Sequence, residues 1–282
     1  MKTLNKKLFT ISMVASLLLA GCASTDPYTP QSNDDFIYDP DASFAMNVVE
    51  GSLGFHNGLR DADKPENSNI SSNGLDYAAD GIIGSAFGGG VGGAFLSMLG
   101  TNQANKPLHT YYGIVYYPVA EKGNVQSVFD EIESELIQKA VSTRKLTFVE
   151  KPADSKGYIK LKFNGDDCNK HQKLMGYKIE DTCNFIHYTP PKLLKYSTKT
   201  PTGQSGLYAV IGYETFFTAT FLSLDLDEKF YVFSPVIRKR TKFPFISNQG
   251  KIYPFVKGDN FLTIPDLMQI DPWVNAHYGT SK

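Results

Sequence analysis

Cys168 and His171 stand three residues apart, directly behind Asp166 and Asp167, and these four side chains could grip zinc from one short run of chain. No second strong Cys/His pair follows at ligand spacing; the next cysteine is Cys183. In an oxidising compartment the two cysteines are an even pair, and a Cys168–Cys183 bridge closes a loop of about 15 residues, worth roughly 3 kcal/mol in the chain-entropy model. The disulfide is the favoured expectation and the zinc site the competing one.

Catalytic chemistry has weaker footing. The five histidines, His56, His109, His171, His187 and His277, are scattered along the chain. Gly203-Gln204-Ser205-Gly206 approaches a nucleophile elbow but lacks the G-x-S-x-G spacing and its strand-to-helix setting, so it reads as a turn. Asp225 and Asp227 could be paired carboxylates for glycoside chemistry, yet two Asp at a hairpin tip are commonly solvated turn residues. Gly88-x-Gly90-x-x-Gly93 fits a dinucleotide fingerprint in form only, since no alternating strand leads into it and no acid stands about 20 residues on. No catalytic residue, cofactor or metal is expected, and no enzyme activity. Arg238, Lys239, Arg240 and Lys242 form a basic cluster that could meet lipopolysaccharide phosphate, peptidoglycan or another acidic partner, or simply be a solvated strand end.

The amino terminus says where such chemistry would operate. Lys2, Lys6 and Lys7 precede an uncharged stretch from Leu8 to Ala20, too short to span a bilayer and suited to a signal-peptide core. It ends Leu19-Ala20-Gly21-Cys22, which resembles the lipobox of bacterial lipoproteins. That resemblance implies cleavage after residue 21 and diacylglycerol on Cys22, where each buried methylene contributes about 0.8 kcal/mol to anchorage. Ala23 in the next position, where inner-membrane retention would place Asp, resembles the outer-membrane pattern. Cleavage would leave 261 of the 282 residues and, because three lysines leave with the signal, shift the net charge from −1 to −4. Such a balance argues against nucleic acid as a partner.

Four materials succeed one another along the chain: a signal peptide over 1–21, an acidic tether over 22–45, a Gly-rich region over 46–106 and a globular domain over 107–282. Residues 23–45 hold five Asp, three Pro and no Lys or Arg. Met46 to Arg60 reads as a short amphipathic piece. Gly81 to Leu99 has 19 uncharged residues, seven of them Gly, and Gly84, Gly88 and Gly92 would form a smooth ridge on a helix. The ridge is a small-xxx-small pattern that permits close helix pairing in lipid, and it resembles the glycine-zipper segments of envelope lipoproteins. In water those glycines would cost about 5–7 kcal/mol relative to alanine, so membrane association or helix pairing competes with a buried Gly-rich loop.

The chain as a whole is rich in Phe and Tyr, 19 and 16, which favours strands. His109 to Tyr117 reads as a strand. Asn124 can cap a helix over 125–143, with Val125, Val128, Phe129, Ile132, Leu136, Ala140 and Val141 on one face. Strands are expected at Leu146–Glu150, Gly157–Phe163 and Gly206–Phe217, then a hairpin from Ala219–Leu226 and Lys229–Ile237, with short strands at Ile252–Val256 and Phe261–Ile264. Pro265 opens a possible helix to Asn275 that Pro272 interrupts. The expected class is α+β: a mixed sheet with one long amphipathic helix, a second β-rich region, and a preceding Gly-rich hydrophobic helix.

The run from Ser134 to Asn164 resembles a module of envelope proteins: the curli secretion-channel lipoprotein, the amino-terminal domain of the Tol-system propeller protein, and penicillin-binding-protein activators. The resemblance is carried by Leu136 to Val141, by Thr147-Phe148-Val149-Glu150, and by Ala153-Asp154 leading to Gly157-Tyr158-Ile159. The hairpin expected across Asp225-Leu226-Asp227 is similar to that family's, without its glycine. The resemblance implies a scaffold or assembly component of an envelope complex, anchored in the outer membrane through Cys22, with a protein partner or a second copy of itself. The alternatives are a lipid-anchored binding protein for a glycan, lipid or acidic partner, using the aromatic strands and the basic cluster, and a hydrolase.

Overall fold

The computed structural model describes residues 36–53, 61, 110–152, 157–175, 177–215, 220, 222–235, 244–257 and 261–263. Cys22, the ridge Gly84, Gly88 and Gly92, the cluster Arg238, Lys239, Arg240 and Lys242, and the helix expected from Pro265 lie outside these residues.

The class is α+β. Helix α1 spans Phe44–Leu53, β1 Tyr111–Pro118, α2 Gln126–Arg144, β2 Thr147–Glu150, β3 Ile159–Asn164 and α3 Asp166–Met175. Then come β4 Thr182–Tyr188, β5 Lys192–Lys199, β6 Ser205–Thr215, β7 Phe230–Ser234, β8 Phe245–Asn248, β9 Lys251–Pro254 and β10 Leu262–Thr263. The ten strands form one sheet in the order β10-β9-β8-β7-β1-β6-β4-β3-β2, with β5 also paired to β6.

One expectation is corrected here. The sheet is not mixed, since every described pairing is antiparallel. The crossover helix α2 links β1 to β2, but those strands stand at the centre and the edge of the sheet, and the strands between them arrive through reversing connections. The expected second β-rich region is present as β6 to β10, and it joins the same sheet around β1.

β1 is the hub because nearly all of it is apolar and buried, and a strand shows alternate residues to opposite faces. Tyr112, Ile114 and Tyr116 join one core, together with Val210 of β6, Tyr231 and Phe233 of β7 and the residues of α1. Val115 joins the other core, with Ala209, Ile211 and Tyr213 of β6, Phe230 and Val232 of β7, and the apolar side of α2. A Cβ on Gly113 would overlap the ring of its cross-strand neighbour Tyr213, so glycine there lets the ring lie over β1.

Helix α2 buries Val128, Ile132, Leu136 and Ala140, a spacing of one turn, while Val141 remains 42% exposed. Asn124 Oδ1 accepts the Gln126 N–H at 2.9 Å at its start, and Lys145 ends it in the left-handed region with φ 53°. The acids on its outward side also fix it in place. Tyr188 donates to Glu133 at 2.7 Å, Lys151 pairs with the same carboxylate at 2.8 Å, and Lys229 pairs with Glu135 at 2.6 Å. Tyr117 donates to Glu131.

The strand expected at Ala219–Leu226, and with it the hairpin across Asp225, does not form: the described residues from Thr220 to Asp227 are helical-turn, turn or irregular positions. Asp225 takes φ 50°, which a continuing strand cannot contain. Leu222, Leu224 and Leu226 are buried all the same, and Thr143 of α2 donates to the Leu224 carbonyl at 3.2 Å.

α1 covers the other face. Ser43 caps it by accepting the Met46 N–H at 3.0 Å, and Asp61 receives both the backbone N–H and the hydroxyl of Ser43 at 2.5 Å. Burial pushes the Asp61 carboxyl above its ordinary value, against the lowering effect of those bonds. The packing reaches back to Phe36, inside the stretch expected to be tether. Its ring is 5% exposed and meets Tyr116 edge-on at 6.5 Å, and its N–H is 3.3 Å from Ser197 Oγ.

Candidate functional site

The sulfurs of Cys168 and Cys183 are bonded, with Cα atoms 5.5 Å apart, tying α3 to β4. This disposes of the zinc alternative at these residues, because a disulfide sulfur is no thiolate ligand. His171 instead packs its ring against Phe185 at 5.6 Å, and Asp167 pairs with Arg144 at 2.7 Å. Among the described residues no group of three or more His, Cys, Asp or Glu could hold a metal ion.

The other chemical candidates are not brought together. Ser205 begins β6, paired with Lys199. Asp227 is engaged by Lys139 of α2 at 2.7 Å, and Asp225 lines a cavity of about 240 Å³ with Arg144 and Asn248. Among the described residues, no helix is long and apolar enough to cross a membrane.

A cleft that sequence reasoning missed lies on the α1 side of the sheet, with a volume of about 870 Å³, within the range of small-molecule sites. Its walls come from Phe36 to Tyr38, from Phe44 of α1, from the β5–β6 turn over Lys199 to Gly203, and from Lys251, Tyr253 and Phe261. Its floor is aromatic: Phe44 and Tyr253 have ring centroids 4.2 Å apart, and Tyr253 lies 6.0 Å from Phe261. Toward the sheet the series continues from Phe44 to Tyr231 at 6.3 Å and from Tyr231 to Tyr116 at 5.7 Å. Ile37 and Tyr38 stand at the mouth, 79% and 43% exposed.

Each element holds its part of the wall for a local reason. The β5–β6 turn closes through Thr200 N–H to the Gln204 carbonyl at 3.0 Å and Gly203 N–H to the Thr200 carbonyl at 2.9 Å. Gly203 sits at φ 83°, a left-handed position that suits glycine. The hydroxyls of Thr200 and Thr202 are 3.0 Å apart. β9 is paired on both sides, by β8 and β10, which orients Lys251 and Tyr253. Thr200 also lines an adjoining cavity of about 610 Å³ with Tyr116, Tyr208 and Tyr231. Burial pushes the Tyr116 and Tyr231 hydroxyls well above their ordinary range; Tyr116 is bonded to Ser52 at 2.7 Å.

The electrostatics of the cleft differ from those of the α2 side. There Lys139, Arg144, Lys151, Lys162 and Lys229 each meet a carboxylate at 2.6–2.8 Å. Lys199 and Lys251 of the cleft form no ion pair with a described carboxylate, and none of the described residues lining the cleft is acidic. The Lys251 ammonium rests 4.6 Å from the centre of the Phe261 ring.

No protein-family model, curated protein or solved structure matches the chain.

Proposed function

We propose that the protein is a lipid-anchored outer-membrane protein that works without turnover, as a scaffold or assembly component of an envelope complex. Its partners are the membrane, through Cys22, and a protein partner or a second copy of the chain. The observation that carries this reading is the clamp on Phe36. Only 13 residues separate Cys22 from a ring built into the core, so the body would stay within about 50 Å of the lipid surface. A body held that close is suited to meeting neighbours in the envelope. The uncharged stretch with Gly84, Gly88 and Gly92 would supply helix pairing in lipid.

A second reading, a lipid-anchored binding protein for a glycan, lipid or acidic partner, is favoured by the aromatic cleft with its two lysines, neither paired with a described carboxylate. The hydrolase reading has least support, because Asp227 is bound to Lys139 and Asp225 sits in a turn at positive φ. Crosslinking in intact cells and then affinity purification tests the scaffold reading. The expected result is one recurring complex that is lost when the chain is exported on a cleavable signal without Cys22. Recovery of uncomplexed chain alone would overturn it.

A further inference from the structure

We infer that the cleft between Phe44, the β5–β6 turn and β9 binds an acidic saccharide chain. The choice of ligand comes from what the walls offer. Two stretches of the lining have no backbone to spare for an extended peptide: β9 is paired on both edges, and the turn from Lys199 to Gly203 is closed by its own hydrogen bonds. Peptide capture by strand addition needs a free edge, so recognition here falls to side chains.

Those side chains are of three kinds. Tyr253 and Phe261 present half-buried rings beside the exposed Tyr38, surfaces on which the apolar face of a sugar ring can lie. Thr200, Thr202, Tyr38 and Tyr253 carry hydroxyls around the same volume, suited to sugar hydroxyls. Lys199 and Lys251 stand at the rim with no described carboxylate paired to either, and no described residue of the lining is acidic. Two ammonium groups with no described carboxylate beside them, over aromatic walls, repel cations and hold anions, and at a rim they also speed encounter. A neutral sugar would leave both cations unanswered, and an acidic peptide would leave the rings and hydroxyls unmatched. A lipid tail would leave both lysines and the hydroxyls unmatched.

The proposal rests on the reading of a body that binds without turnover. Its test uses purified full-length chain in detergent, so an absent complex in cells and an absent ligand remain separate results. Calorimetric titration at near-physiological salt would compare tetragalacturonate with neutral galactotetraose and with tetraglutamate. We expect one saturable site for the uronate, about tenfold tighter than either comparison probe. Lys199→Gln with Lys251→Gln should weaken it by about tenfold, and Tyr38→Ala by about threefold, with an unchanged melting temperature because all three side chains are exposed. Uronate binding that does not saturate, comparison probes that bind as tightly as the uronate, or a lysine pair whose removal has no effect would each overturn the proposal.

Discussion

The Phe36 ring occupies the space where a Cβ on Gly51 would be, so the first described residue of the body and the last turn of α1 lock each other. Sequence propensity would recommend alanine at residue 51, a gain of about 1 kcal/mol within a helix. We expect the opposite sign. Gly51→Ala must displace a buried ring, and Phe36→Ala should cost about 3 kcal/mol through lost burial and a cavity beside Tyr116. Urea melts of both variants check this; a Gly51→Ala protein as stable as wild type would show that Phe36 is not clamped.

The Cys168–Cys183 bridge should contribute about 3 kcal/mol, since it closes a loop of 15 residues. Reduction, or replacement of both cysteines by alanine, should lower the urea midpoint accordingly. Exposure to a zinc chelator should change nothing in the oxidised protein.

Glu133 joins Tyr188 and Lys151, and the two partners differ in burial. Removing Glu133 leaves the Tyr188 hydroxyl without its acceptor, so Glu133→Ala should cost about 2 kcal/mol. Lys151 is 47% exposed, and Lys151→Ala should cost less than about 1 kcal/mol. Equal effects would mean that the tyrosine bond contributes little.

Burial pushes the hydroxyls of Tyr116, Tyr188, Tyr213 and Tyr231 upward. The folded state therefore holds these protons after the unfolded chain has released them. The tyrosine contribution is fully present below about pH 10 and is lost above it, each such tyrosine steepening the fall by about 1.4 kcal/mol per pH unit. Denaturant melts from neutral to alkaline pH should show a plateau and then this decline.

The glycine ridge gives a prediction in cells. Gly88→Leu or Gly92→Leu should abolish assembly while leaving the body folded, because the bulky side chain keeps paired helices apart. Normal assembly of both variants would remove the ridge from the account.

The elements legible in the sequence are those that carry a strong period. β1, α2, β3 and β6 announce themselves through apolar runs, a four-residue spacing or clean alternation. The same rule misleads at Leu222, Leu224 and Leu226, whose alternation is that of a strand although a turn buries them. β5 is illegible because Lys195 and Ser197 occupy buried positions in it, and α3 because its sequence is almost wholly polar and is held by Cys168. The cleft is hidden for another reason. Its residues come from four segments between Phe36 and Phe261, and only the fold brings them together.

The central claim, anchorage through Cys22, is tested most directly by the mass of the mature amino-terminal peptide from cell envelopes. The expected result is a chain beginning at Cys22 and carrying diacylglycerol on its sulfur. A chain that begins elsewhere, or an unmodified Cys22, would contradict it.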